Sequence, residues 1–316
     1  MFSNFGEIEL LYAKIVTEDS LVSDWIVVEG VYSFRGDSKP LILKRSLESD
    51  SRFTPYLHRI HIVEVHENLI SDFKYGVKHF ILKKIEFFVR KLFFGTNFNQ
   101  KRLMLEKKYF YVENKSRNAA IPKILDLSTS NDDWVLISDV DEILNLNNAS
   151  IKNSVVEIMK SQDLFSLLYR QKFVFDFDNF DSQQRFTPFI NIELLKSSIG
   201  SKLSDFRSRF DGIPHVNYPY VSEYTFCFNL DVIFEKYEMF PHVSPPKQKL
   251  FEALNINATP LYDDSSDEEI RWYKKVNILD YSVPQYIVDN IDKLRTHNIN
   301  RDYKENRKIK FPNLFK

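Results

Sequence analysis

Asp132 to Leu144 reads DDWVLISDVDEIL, five acidic residues around a short apolar run, and the reading of this stretch decides the fold. Trp134 to Ser138 has the look of a buried strand, yet it runs into Asp139, Asp141 and Glu142, three carboxyl groups within four positions. Carboxylates this close repel one another, and a cation or a shared proton is what usually relieves them. The surrounding chain offers no general excess of base to do so, since 43 Lys and Arg stand against 44 Asp and Glu, a formal charge of −1.

That balance excludes a global field favouring nucleic acid, so any charge-based function is local. With 316 residues, 43% hydrophobic and 15% aromatic, the chain has ample material for a core. Cys227 is the single cysteine, which excludes an internal disulfide and a zinc site built from paired cysteines. The N-terminal MFSNFGEIELLYAKIVTEDS carries acids where a secretory signal has a basic start, and no uncharged apolar run approaches the roughly 18 to 20 residues that span a bilayer. A cytoplasmic location is the expectation. None of the seven glycines forms Gly-x-Gly, so a dinucleotide fingerprint or a Walker loop cannot be drawn.

Outward from the acidic stretch, Ile8, Leu10, Leu11, Ile15 and Val16 have helical spacing, WIVVEG (25–30) reads as a buried strand and RIHIVEVH (59–66) as a second. ENKSRNAAIPKILDL (113–127) reads as a helix before the strand at 134–138. Alternating helices and strands predict a mainly parallel sheet with sites at the carboxyl ends of its strands, where Asp139 to Glu142 would lie. Beyond it, 163–180 and 185–195 read as aromatic strands, 229–240 as a helix, 263–269 (DDSSDEE) as a solvated loop or helix start, and Lys293 to Lys316 as a surface helix with a frayed end. HFILKKIEFFVRKLFF (79–94) places Ile81, Leu82, Ile85, Phe88, Val89, Leu92 and Phe93 on one face and Lys83, Lys84, Arg90 and Lys91 on the other. Most such faces pack on the protein's own core; a basic, Phe-rich one also suits a membrane interface.

Four chemistries can use the acidic cluster. A calcium loop needs a glycine at its sixth position, where Leu144 stands. An aspartyl phosphatase of the haloacid-dehalogenase type also places Asp-x-Asp after an apolar strand and would use Asp139 as nucleophile, but has Thr or Val where Ile143 stands. The Asp-x-Asp of glycosyltransferases with the GT-A fold holds a hard divalent cation on the diphosphate of a sugar nucleotide and needs no glycine loop. Finally, Asp and Glu suit the turn and first helical residues after a strand without any chemistry.

The residues 5–41, 113–125 and 132–143, in that order, together resemble glycosyltransferase family 17, the family of the β-1,4-mannosyl-glycoprotein N-acetylglucosaminyltransferase. Glu29, Phe34, Gly36, Lys39 and Pro40 carry the first block, Arg117 and Asn118 the second, and Ser138 to Ile143 the third. Leu144 replaces a proline of the family pattern. EYTFCFNLDVIFEKYEMFPH (223–242) resembles the family's aromatic patch and following helix, without its Trp-His and Gly-Gly. The resemblance implies an α/β fold of GT-A, Rossmann-like type: a mainly parallel central sheet flanked by helices, with an inserted amphipathic helical segment near 67–112. It implies a single domain over 1–316, with residues 1–145 as the nucleotide-sugar half and 146–316 as the acceptor-side half with a basic tail.

The implied activity is inverting transfer of N-acetylglucosamine or another hexose from a nucleotide sugar to a glycan. Mn²⁺ or Mg²⁺ would assist, with Asp141 and Asp139 as ligands and His242 as a third. Asp139, Glu29, Arg117 and Lys39 are the expected nucleotide-sugar residues, and Glu142 a supporting or acceptor-facing group. For the base that removes the acceptor proton, Asp211, Glu223 and Asp231 are the candidates, Glu223 preferred because an aromatic strand able to stack on a sugar ring follows it. Without an N-terminal anchor, the enzyme would work on the cytosolic face on surface-glycan or lipid-linked acceptors, with residues 79–94 as a peripheral membrane contact and no nucleic-acid partner.

Overall fold

Glu7 and Glu9 in a first turn favour a helix start, and the apolar spacing behind them forms α1, Glu7–Glu18, with Leu10, Leu11 and Ile15 buried. The computed structural model describes residues 7–69, 100–146, 149–169, 171–174, 177, 179–181, 185–197, 202–208, 214–217, 221–225, 227, 233, 258–262, 268–272 and 274–298. β1, Trp25–Gly30, pairs in parallel with β2, Ile60–Val65, from Trp25 opposite Ile60 to Gly30 opposite Val65. Between them the chain turns at Ser33 to Asp37, where Gly36 has φ 92°, and enters α2, Leu43–Ser49.

The helix expected at 113–127 is two helices. α3, Gln100–Asn118, stops at Ala119 and Ala120, and α4, Ile121–Leu127, begins with Pro122 in its first turn. Proline fits there and not within a continuing helix, which accounts for the break. β3, Trp134–Leu136, follows, and Glu142–Leu144 is itself a short strand, β4. The later elements are α5, Ala149–Ser161; β5, Leu164–Tyr169; β6, Gln171–Val174; β7, Asn179–Asp181; and β8, Arg185–Asn191. They continue with α6, Ile192–Ser197; α7, Leu203–Ser208; β9, His215–Asn217; and β10, Val221–Thr225. Last come β11, Ala258–Tyr262; β12, Glu268–Trp272; β13, Lys274–Lys275; α8, Gln285–Asp289; and α9, Ile291–Asn298.

The expected α/β composition is present, but the sheets are mixed rather than one mainly parallel sheet. One sheet has the order β3-β8-β5-β9 and another β13-β7-β6-β10-β4, with a separate β11-β12 ribbon. Within these, β5 with β9 and β6 with β10 run parallel, and the other pairings are antiparallel. The reason is connection length. Parallel neighbours need a crossover of roughly a dozen residues, whereas four residues join β6 to β7, which pair antiparallel. Glu268 and Glu269, expected in a loop, lie in β12. The helices expected at 79–94 and 229–240 lie outside the described residues, Ile233 excepted; of the expected tail helix, residues 293–298 fall in α9 and the rest lie outside.

The two halves interlock. β3 pairs with β8 and β4 with β10, and one core cluster draws on Leu11, Phe53, Ile143, Tyr224 and Ile287. Phe173 stacks on Tyr224 with ring centroids 5.6 Å apart, and Phe165 on Phe189 at 4.9 Å. Among the described residues no helix is long and apolar enough to cross a membrane.

β4 is the edge of its sheet, and its outer edge is closed by side chains. The Asp141 carbonyl accepts from Tyr224 N–H on β10 at 2.8 Å, so alternate backbone groups, those of Glu142 and Leu144, face away. Lys14 Nζ donates to the Glu142 carbonyl at 2.7 Å, and Glu18 Oε1 accepts from Leu144 N–H at 3.0 Å. Lys14 and Glu18 also pair with each other at 2.7 Å, so α1 meets β4 where a further strand would lie. Replacing Lys14 by Ala strands the buried Glu18 carboxylate and the Glu142 carbonyl. In urea unfolding, Lys14→Ala is expected to cost about 3 kcal/mol, and adding Glu18→Gln to recover part of it by removing the unpaired charge.

Candidate functional site

The turn between β3 and β4 carries the chain from one sheet to the other, and the Glu142 N–H donates to the Asp139 carbonyl at 3.1 Å to close it. Val140 is buried in the core, and Asp139 and Asp141 flank it as half-buried groups. The expectation of a parallel strand leading to a carboxylate-bearing loop is therefore changed: EIL (142–144) is a strand, and Asp139 and Asp141 lie in the corner between two sheets.

Two arginines meet Asp139. Arg117, in the last turn of α3, donates from Nη2 to both carboxylate oxygens at 2.9 and 3.1 Å, and pairs with Glu113 one helical turn back at 2.6 Å. Arg207, on α7, donates from Nη2 to Asp139 at 3.2 Å and also to Glu142 Oε1. The two helices are clamped beside the arginines, since Asn118 Nδ2 donates to Ser204 Oγ at 3.3 Å and Asn118 Oδ1 accepts from the Ser204 N–H at 3.2 Å. Leu203 and Phe206 bury the other side of α7 against Val112, Ile124 and Ile190. Arg117 and Asn118, adjacent in sequence, thus hold the acidic turn and the second arginine's helix respectively.

Glu142, 3% exposed, receives two further donors on Oε2: the Thr187 hydroxyl at 3.2 Å and the Asp139 N–H at 3.3 Å. Across the β4–β10 ladder Glu142 lies opposite Glu223, which places these two glutamates on one face of the sheet. Glu223 lies opposite Lys172 on β6 and accepts from Lys172 Nζ at 2.7 Å and from the Thr225 hydroxyl. Burial raises Glu142 to about 7, the charges of Asp139 and Glu223 adding to it and Arg207 opposing. Burial would raise Asp139 too, but Arg117 and Arg207 hold it well below the usual carboxylate range.

Arg117, Asp139, Asp141 and Glu223 are thus brought to one region. Glu29 and Lys39, expected with them at the nucleotide, meet each other in the turn after β1. Glu29 is 1% exposed and accepts from Ile42 N–H at 2.8 Å and Leu43 N–H at 3.2 Å, capping α2, while Lys39 Nζ lies 3.8 Å from it. As folded, Glu29 is committed to the backbone of α2 rather than turned to a ligand. His242, Asp211 and Asp231 lie outside the described residues. Sequence reasoning missed Arg207, Thr187, Lys172 and Glu113. Nothing in LSDFRSRF (203–210) singles out Arg207, which the packing of α7 against α3 brings to Asp139.

Among the described residues no group of three or more His, Cys, Asp and Glu side chains has metal-holding geometry. Both oxygens of Asp139 are bonded to guanidinium groups, so a divalent ion on this carboxylate would sit beside two positive charges. Asp139 as folded, with both oxygens bonded to guanidinium groups, does not fit Mn²⁺ or Mg²⁺. The same bonds weaken Asp139 as a phosphatase nucleophile. Comparison of the chain with protein-family models, with curated proteins and with solved structures found no match. The resemblance to glycosyltransferase family 17 rests on the sequence blocks quoted above.

The raised Glu142 has a consequence for stability. The folded state keeps a proton that the unfolded chain loses at the ordinary glutamate value near 4.5. Stability from this group is therefore present in full below pH 4.5 and lost as pH rises to about 7. Glu142→Gln is expected to remove on the order of 1–3 kcal/mol of that loss. Urea midpoints of both proteins at pH 5 and pH 8 check it: the wild-type midpoint should fall more between the two pH values than that of the variant.

Proposed function

We propose that the chain is an inverting glycosyltransferase that moves a hexose or N-acetylhexosamine from a nucleotide sugar to a glycan acceptor. The observation that supports this most is the position of Glu223 opposite Glu142 on the sheet face next to the Asp139 to Asp141 turn. The reaction needs a carboxylate for the acceptor proton beside a place for a departing diphosphate, and the closeness of Glu223 to the acidic turn supports that reading. Glu223 is the proposed base. The acceptor oxygen bonds to the anomeric carbon as its proton passes to Glu223, and the sugar–phosphate bond breaks with its electron pair going to the diphosphate.

Lys172 holds the Glu223 carboxylate in place, and Thr225 donates to the same oxygen. A divalent cation on Asp141 would add charge neutralisation of the leaving group. A lipid-linked or surface-glycan acceptor remains part of the proposal, but the 79–94 helix that would bring the enzyme to a membrane lies outside the described residues.

The test is calorimetric titration with a panel of nucleotide sugars, with and without Mn²⁺, followed by transfer assays with the donor that binds. Glu223→Gln is expected to lower kcat by about 10²- to 10⁴-fold while donor affinity changes less than about threefold. A donor that binds and is never transferred would make the chain a sugar-nucleotide-binding protein instead.

A further inference from the structure

We propose that Arg117 and Arg207 form the subsite for the donor's diphosphate, and that Asp139 is an internal anion occupying this subsite until the diphosphate displaces it. The identity of the ligand rests on the transferase reading; the anion subsite itself rests on the geometry alone. Two guanidinium groups from two helices converge on one carboxylate. The Arg117 and Arg207 side chains are 15% and 14% exposed, Glu113 and Glu142 are 13% and 4%, and Asp139 is 31%. The cluster therefore opens to solvent at Asp139.

The arginines are held without Asp139's help. Asn118 and Ser204 join their helices, Glu113 pairs with Arg117, and Glu142 pairs with Arg207. The described contacts of Arg117 run through Nη2, and a guanidinium carries further N–H donors on Nε and Nη1. A guanidinium is a planar fork of donors matched to phosphate oxygens, and a diphosphate brings more negative charge than the single carboxylate it would replace. The chain has no glycine loop to cradle phosphates, so fixed cations of this kind can take that role.

Asp139→Asn distinguishes this from the metal-ligand role expected of Asp139. An internal competitor, once neutralised, should leave tighter anion binding; a metal ligand, once lost, should leave weaker binding. The full chain is titrated with inorganic pyrophosphate and with UDP, in EDTA and in Mn²⁺. Pyrophosphate is expected to bind in EDTA, about threefold or more tightly to Asp139→Asn, and about tenfold more weakly to Arg117→Lys and Arg207→Lys, which keep the charge and lose the fork. Thermal unfolding checks that each variant is folded, and Asp139→Asn keeps the readout if Arg207→Lys is not.

No pyrophosphate binding in EDTA, or weaker binding by Asp139→Asn, overturns the subsite. Pyrophosphate binding with this pattern while no nucleotide sugar is used would uphold the subsite and remove the transferase reading. Transfer that requires Mn²⁺ and ignores both arginine variants would do the reverse.

Discussion

The corner between the two larger sheets exists because β4 is an edge strand whose outer backbone groups are satisfied by a helix. A three-residue strand paired on one side only is a weak element. Lys14 and Glu18 supply the missing donor and acceptor, to the Glu142 carbonyl and the Leu144 N–H, from successive turns of α1. This fixes β4 in register with β10, and β4 in turn fixes the direction of Glu142, the closure of the Asp139 to Glu142 turn and the neighbourhood of Glu223. One buried ion pair thus connects the N-terminal helix to the candidate site. Its burial is costly unless both partners keep their hydrogen bonds, and here each bonds to the other and to β4.

The question set by DDWVLISDVDEIL, how three carboxyl groups can crowd one corner, has a structural answer in unequal environments. Asp139 stays ionised because two guanidinium groups face it. Glu142 is relieved in part by holding its proton to about pH 7, and by Thr187 and Arg207. Asp141 stands half-buried in the same turn, on the other side of the buried Val140 from Asp139. Neighbouring acids driven to different protonation states are the arrangement that acid–base chemistry uses, and also one that a structural network can produce.

Much of the fold was legible where the local signal and the tertiary context agree. α1, β1 and β2 follow their apolar spacing, and the parallel β1–β2 pair has the long connection that such pairing requires. The second half was less legible because aromatic, β-rich segments such as 163–180 suit parallel and antiparallel neighbours alike; the short link between β6 and β7 is what argues for an antiparallel pair. The same limit applies to the site. Asp139, Asp141, Arg117 and Glu223 could be picked from motif and resemblance, whereas Arg207, Thr187 and Lys172 reach it through sheet register and helix packing, which a linear pattern does not carry. Glu29 shows the converse case. Its position at a strand end suggested a ligand contact, yet a buried glutamate beside two unsatisfied helix N–H groups is equally well explained as a cap.

A site that folds around its own counter-charges differs in its energetics from one that waits for a metal. If Asp139 is what the arginines hold in the free protein, they need no reordering when an anion arrives, and the side-chain entropy that binding would otherwise cost has already been lost on folding. The opposing cost is release of Asp139 from its two partners, which is low only if its carboxylate can turn to water. Its greater exposure compared with every other member of the cluster meets that condition. The asymmetry between buried Glu142 and half-exposed Asp139 then separates two duties: Glu142 keeps Arg207 in position throughout, and Asp139 can be exchanged. Such a division ties affinity for an anion to the burial of the neighbouring glutamate, so the strand edge that buries Glu142, and the helix that closes that edge, become part of the binding site.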